Sequence, residues 1–264
     1  MSIYTYEWLA LIGAGGGLIS GLVGLAGGIF IVPALVAMYG IQGMGDAIVV
    51  SFFAVLFNSL STSRANLKTK GTDIFWALIR GAKWYTYGAI IAAFIVAILF
   101  GQHKDAIPKQ LLASLQLLLA VCMLIPRSWY EKARMKHSKW KDTIVGAIVG
   151  GISTLIGVGG GTYTLFYFMT HGREIKDCTL TANFVGIFIG MMSLVGYYGY
   201  VAVASASHVA TSTSIIDAVG KAILIASGVL AGPFGVKLQK KAPAALIKTV
   251  IVLILAASSS YVLL

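Results

Sequence analysis

Eight runs of mostly apolar residues dominate this chain, most of them as long as the roughly 20 residues a helix needs to cross a hydrocarbon core about 30 Å thick. They are approximately Trp8–Tyr39, Ala47–Asn66, Ile74–Phe100, Ile107–Ile125, Ile144–Met169, Leu180–Val203, Ile215–Val236 and Ala244–Leu264. Lipid offers no partner to a free N–H or C=O, so such runs must close their hydrogen bonds internally as helices. The composition agrees: 58% of the 264 residues are hydrophobic and 11% charged, where a soluble chain has about a quarter charged. A cytosolic enzyme is excluded. The opening MSIYTYEWLALIG has no basic residue before its apolar run and no small-x-small cleavage site, so it reads as a retained membrane segment rather than a signal peptide. Cys122 and Cys178 both lie in apolar runs, and no CxxC or Cys/His cluster stands ready for a metal, so neither disulfides, metals nor other cofactors are expected.

The longest connector, RSWYEKARMKHSKWKD, separates four apolar runs from four. It divides the chain into a first transmembrane repeat over 1–126, a basic cytoplasmic connector over 127–142 and a second repeat over 143–264. Laying GAGGGLISGLVGLAGG (Gly13–Gly28) over GAIVGGISTLIGVGGG (Gly146–Gly161) matches Gly13, Ala14, Gly17, Ile19, Ser20, Leu22, Gly24, Gly27 and Gly28 with identical residues. Equal spacing of the flanking runs argues that this is a duplication.

Charge decides how the halves face. The chain carries 20 Lys+Arg against 9 Asp+Glu, and in so apolar a protein the basic excess orients membrane spans. If all eight runs crossed, nine basic loop residues would lie inside and seven outside, almost no asymmetry. If instead Trp8–Tyr39 and Ile144–Met169 each turn back at their glycines, every half has three crossings and the second is inverted. Fourteen then lie inside (Arg64, Lys68, Lys70, the six of the connector, Arg173, Lys176, Lys237, Lys240 and Lys241), leaving Lys104 and Lys109 outside. The first run, Trp8–Tyr39, would span about 48 Å as one helix, which suits two half-length helices better. The expected fold is therefore an all-α polytopic membrane protein of two inverted repeats, each a re-entrant or broken helix with a Gly-rich hinge plus three transmembrane helices, and with both termini outside.

Irregular backbone at membrane depth is tolerated only against protein or a water-filled cavity. Interrupted segments at matching places in two halves point to a transporter's midplane site. At these glycine clusters the chain resembles the TauE/SafE sulfite exporter family, also called the 4-toluene sulfonate uptake permease family. The resemblance covers nearly the whole chain and rests on GLVGLAGGIFIVP (Gly21–Pro33), on STLIGVGGG (Ser153–Gly161) and on the plan of four runs, basic loop, four runs. It departs from many relatives at Phe166, where they carry a proline, and at Ala47–Ser51, where they carry Ala-x-x-Thr-Ser. The resemblance implies a secondary transporter of sulfite, sulfonates or related anions in the prokaryotic plasma (inner) membrane.

An oxyanion needs donors that desolvate cheaply, and helices opening at Gly28 and Gly161 offer free amides and a positive dipole end. The expected substrate-binding residues are Gly27, Gly28, Gly159, Gly160, Gly161, Thr162 and Tyr163. Close helix packing is the competing account of the glycines, and the favoured one for Gly13, Gly17 and Gly21. Ser51, Asn58 and Asn183 either line the cavity or bond between helices. Lys83 and Lys221 either draw the anion in from opposite faces or snorkel to headgroups. Asp217 and Lys221, four apart, can pair on one helix face. His103, His137, His171 and His208 all fall in loops, which argues against an intramembrane proton relay.

The function expected is alternating-access transport, with export favoured, of a small sulfur-containing anion. An anion channel, or a carrier of another anion such as a carboxylate, is the first alternative. An intramembrane enzyme or metalloenzyme assembly factor is the second, disfavoured because HExxH and GxSxG are absent. Expected partners are the anionic substrate, the lipid bilayer, a coupling proton or ion, and a second copy in a homodimer. Nucleic acid is not expected.

Overall fold

The computed structural model describes residues 3–39, 44–103, 109–124, 138–206 and 216–263. Most of the basic connector, with Lys104, His137 and His208, lies outside the described residues. In chain order the helices are α1 (Ile3–Val23), α2 (Gly28–Tyr39), α3 (Met44–Lys70), α4 (Thr72–Arg80), α5 (Lys83–His103), α6 (Lys109–Leu124), α7 (Lys139–Ile156), α8 (Gly161–Thr170), α9 (Ile175–Ala206), α10 (Ala218–Lys241) and α11 (Ala244–Leu263). Among the described residues five stretches are long and apolar enough to cross a membrane: Thr5–Val23, Gly45–Lys70, Lys83–Gly101, Ile175–Ala206 and Ala218–Lys241.

Side-chain volume decides which helices touch. Along α1, a Cβ at Gly13, Gly17 or Gly21 would fall on the backbone of Leu224, Gly228 or Gly232 of α10. The residue numbers rise together, so α1 and α10 run parallel with their backbones in direct contact, as small residues at four-residue spacing allow in lipid. A second parallel pair is built the same way, with Gly146 and Gly150 of α7 against Tyr85 and Ala89 of α5. Asn58 and Thr62 of α3 meet Gly228 and Gly232, so α3 shares the direction of α10. Phe94 and Gly101 of α5 meet Gly196 and Tyr200 of α9, so these two also run together. Between the sets the sense reverses: Ser59 and Leu56 of α3 meet Gly186 and Gly190 of α9. These six helices thus form two triplets, α1–α3–α10 and α5–α7–α9, each parallel within itself and antiparallel to the other.

One end of the bundle gathers the basic residues. Lys70 pairs with Asp177 at 2.6 Å, Lys176 reaches the Lys240 carbonyl at 3.1 Å, and Lys83 and Lys139 both lie over the Trp84 ring. At the opposite end Asp217 caps α10, accepting from the Gly220 amide at 2.8 Å and from the Tyr6 hydroxyl at 2.7 Å. The Tyr6 bond first and the Gly220 amide second hold that carboxyl below its ordinary range.

Three expectations are corrected. α1 has 21 residues, about 32 Å of helix, because its whole length is zipped to α10; only the return arms are short, 12 residues in α2 and 10 in α8. The run Ile74–Phe100 is broken at Gly81, and α4 turns Phe75 and Ile79 onto Leu180 as a separate short helix. Asp217 and Lys221 do not pair through their side chains, since the carboxylate is engaged by Tyr6 and the α10 amide.

Gly17→Leu should force α1 from α10 and lower the thermal unfolding midpoint in detergent, at a cost of at least about 1–3 kcal/mol. Gly199→Leu, which enters open space, should leave the midpoint unchanged. Equal shifts in the two variants would remove the close contact as the source of stability.

Candidate functional site

Two glycine hinges cross at the centre of the bundle. Each begins where a helix ends on a left-handed glycine: the Gly24 amide donates to the Ser20 carbonyl at 2.9 Å, and the Val158 amide, past Gly157, to the Ser153 carbonyl at 3.0 Å. Both hinges place their first, third and fourth residues at positive φ, Gly24, Ala26 and Gly27 in one, Gly157, Gly159 and Gly160 in the other. Ala26, at φ 55, is the alanine in a position that an L-residue adopts at a cost of about 1–2 kcal/mol.

The hinges pack against each other in opposite directions. Gly28 lies on the Gly157 carbonyl, Gly159 on the Ala26 side chain, and Gly161 on the Gly24 carbonyl and Leu25. A step forward along one hinge is a step back along the other, which is the register of a local two-fold axis passing between Ala26 and Gly159. The expected open approach to Gly28 and Gly161 is therefore occupied in this conformation by the facing backbone. Gly160 instead faces side chains, and Gly27 lies on the Gly16 carbonyl of α1 with a side chain next to it. The Asn58 amide stands beside Gly27, and the Ser153 hydroxyl, Ile189 and Val149 beside Gly160.

Around these two glycines lie buried polar atoms without partners. Asn58 and Thr162 are both 0% exposed, and both amide atoms of Asn58, together with the hydroxyls of Ser153, Thr162 and Tyr163, make no hydrogen bond. A buried polar group left unpaired costs about 1–3 kcal/mol, which sets these atoms apart from the bonded polar groups of the same helices. The side chains nearest to the hinge glycines, among them Val55, Asn58, Thr179 and Ile189, are neutral.

Other expected residues have different work. The Ser51 hydroxyl lies 2.6 Å from the Ile48 carbonyl and 2.7 Å from the Gly157 carbonyl, tying α3 to the second hinge. Asn183 donates to the Ser20 carbonyl at 3.2 Å and accepts from the Ser20 hydroxyl at 3.4 Å, tying α9 to the end of α1. Both clamp a hinge from the opposite half and are satisfied. Lys83 is exposed at the basic end and Lys221 half-buried in the first turn of α10 near the other end, so neither stands at the hinges.

Sequence reasoning missed two features. The first is a polar stripe on α3, where Ser59, Ser63 and Asn66 are buried with unpartnered atoms beyond Asn58; its spacing within a helix of apolar flanks was the available signal. The second sits at the far end of α8. His171 is 7% and Asp142 5% exposed, not in a solvated loop. The Tyr167 hydroxyl donates to Asp142 at 2.6 Å, the His171 Nδ1 lies 2.9 Å from the Tyr167 carbonyl, and Tyr85 stacks on Tyr167 while its hydroxyl bonds Thr164 at 2.9 Å. No group of three or more His, Cys, Asp or Glu able to hold a metal gathers among the described residues.

Residues 9–262 match the family described as Sulfite exporter TauE/SafE. A "Probable membrane transporter protein" of Haemophilus influenzae is 24% identical over 202 residues, covering 74% of this chain and 75% of its own. No solved structure matches the chain significantly. A bundle of apolar helices, five of them long enough to cross a membrane among the described residues, accords with that match, and the chain belongs to the TauE/SafE sulfite exporter family of membrane transporters.

Proposed function

We propose that this protein is a secondary carrier of a small monovalent sulfur oxyanion, hydrogensulfite or an organosulfonate, working by alternating access in a prokaryotic plasma membrane. The observation that carries the proposal is the set of unpaired, fully buried donors at the opening turns of α2 and α8, Asn58 on one side of the hinge crossing and Ser153 with Thr162 on the other. Neutral hydroxyls, an amide and helix N-termini stabilise one negative charge through hydrogen bonds and dipoles. The side chains nearest the hinge glycines are neutral, which favours a monoanion over a dianion.

The two antiparallel helix triplets and the two-fold register of the hinges support an inverted repeat of the halves. In that arrangement each hinge is clamped by the other half, Gly157 by Ser51 and Ser20 by Asn183. Rocking of one half against the other would part the crossed hinges and free the amides of Gly28 and Gly161, so on this reading the crossed conformation is the shut one. Asp142, Tyr167 and His171 at the other end of α8 offer a place where a coupling proton could act on the same helix that carries Thr162. The concentration of lysines at one end supports placing that end in the cytoplasm and both chain termini outside.

Purified protein in liposomes should take up radiolabelled sulfite or an organosulfonate saturably, and Thr162→Val and Asn58→Leu should each raise KM by about 10- to 100-fold while the protein stays folded. Uptake of acetate but of no sulfur anion would overturn the substrate and favour the carboxylate carrier. For orientation, single-cysteine variants in a background lacking Cys122 and Cys178 suffice. Thr69→Cys, Lys139→Cys and Lys240→Cys should react with a membrane-impermeant maleimide only in inverted vesicles, and Asp217→Cys only in intact cells. Labelling of Asp217→Cys from the same side as Lys139→Cys would overturn the topology.

A further inference from the structure

The outer surface carries a furrow of ≈ 380 Å³ between α3 and α10, away from the hinges and independent of which anion is carried. Its cause is local. Pro233 lies inside α10 and has no N–H to give to the Val229 carbonyl one turn earlier. The Ser61 hydroxyl of α3 donates to that carbonyl instead, at 2.8 Å, so the helix can open here without leaving an acceptor bare. Apolar walls come from Phe57, Leu60, Val229 and Pro233, while Arg64 and Lys68 close one end. Arg64 and Lys68 are exposed, and among the described residues no carboxylate pairs with either.

Phe57, Leu60, Arg64 and Lys68 recur at helical spacing, so they form one stripe running from the middle of α3 to its basic end. Seven residues separate Phe57 from Arg64, about 10 Å along the helix, the scale of a glycerol backbone and the upper part of an acyl chain. A guanidinium and an ammonium without counterions meet a phosphodiester well, and apolar walls continuing toward the bilayer centre meet the chain attached to it. Proteins that offer basic pockets between membrane helices on the cytoplasmic side are met there by anionic headgroups.

We propose that this furrow is a binding site for one anionic glycerophospholipid of the inner leaflet, its phosphate held by Arg64 and Lys68 and one acyl chain lying between α3 and α10 along Phe57, Leu60, Val229 and Pro233. The test is native mass spectrometry of the full-chain protein titrated with phosphatidylglycerol and, separately, with phosphatidylcholine. The parent should retain one phosphatidylglycerol in preference to phosphatidylcholine. Arg64→Gln with Lys68→Gln should weaken that retention by about 30-fold, whereas Arg80→Gln with Lys241→Gln, two exposed charges at the same end, should leave it unchanged. Leu60→Trp, which fills the furrow and keeps both charges, should also displace the lipid. No preference for phosphatidylglycerol, an equal loss in the two charge pairs, or a second copy of the chain protecting the furrow in place of lipid would each overturn the assignment.

Discussion

Irregular backbone buried among apolar helices has nowhere to send its polar groups except to other parts of the same protein, and the whole arrangement follows from how two such segments answer that requirement. The hinges at Gly24–Gly27 and Gly157–Gly160 cross in opposite directions, each laying carbonyls against the other's glycines. A side chain at Gly28 or Gly161 would hold them apart, and the crossing would be lost. The clamps from Ser51 and Asn183 finish what the crossing begins by tying each hinge to a helix of the other half. Under the proposed mechanism function and fold share one construction, since parting the hinges is also what would expose the first-turn amides.

Glycine has a second use in the same molecule, unrelated to backbone conformation. Gly13, Gly17 and Gly21 keep ordinary helical geometry and serve only to bring α1 against α10, as Gly146 and Gly150 bring α7 against α5. In lipid no hydrophobic force drives helices together, so contact area between backbones has to do it. Under the proposed mechanism the two parallel pairs would move as bodies about the crossed hinges, with φ changes confined to a few residues.

The uneven distribution of buried polar atoms sharpens the chemical picture. Ser20, Ser51 and Asn183 are bonded, whereas Asn58, Ser153, Thr162 and Tyr163 hold unpartnered atoms. Satisfied groups stabilise one conformation, and unsatisfied ones favour whatever can complete them. Because Thr162 occupies the place of Ile29 in the first half, the two sides of the crossing are chemically different even where their backbones agree.

The apolar helical segments, apart from the break at Gly81, together with the glycine breaks at Gly24 and Gly157 and the family, were legible in the amino-acid sequence, because hydropathy and φ preference are properties of residues read singly or at fixed spacing. The division of labour among the polar residues was not. Ser51 and Asn58 differ by two turns of one helix, yet one is bonded and the other is not, and only the position of Gly157 and Gly27 beside them decides which. What packs along α1 likewise comes from α10, more than 190 residues away, and Tyr85 and Asp142, which hold the Tyr167 ring that lies against His171, come from α5 and α7. Local sequence determines where a helix stops; what covers its end is set by segments distant in the chain, through contacts that exist only once the bundle has closed.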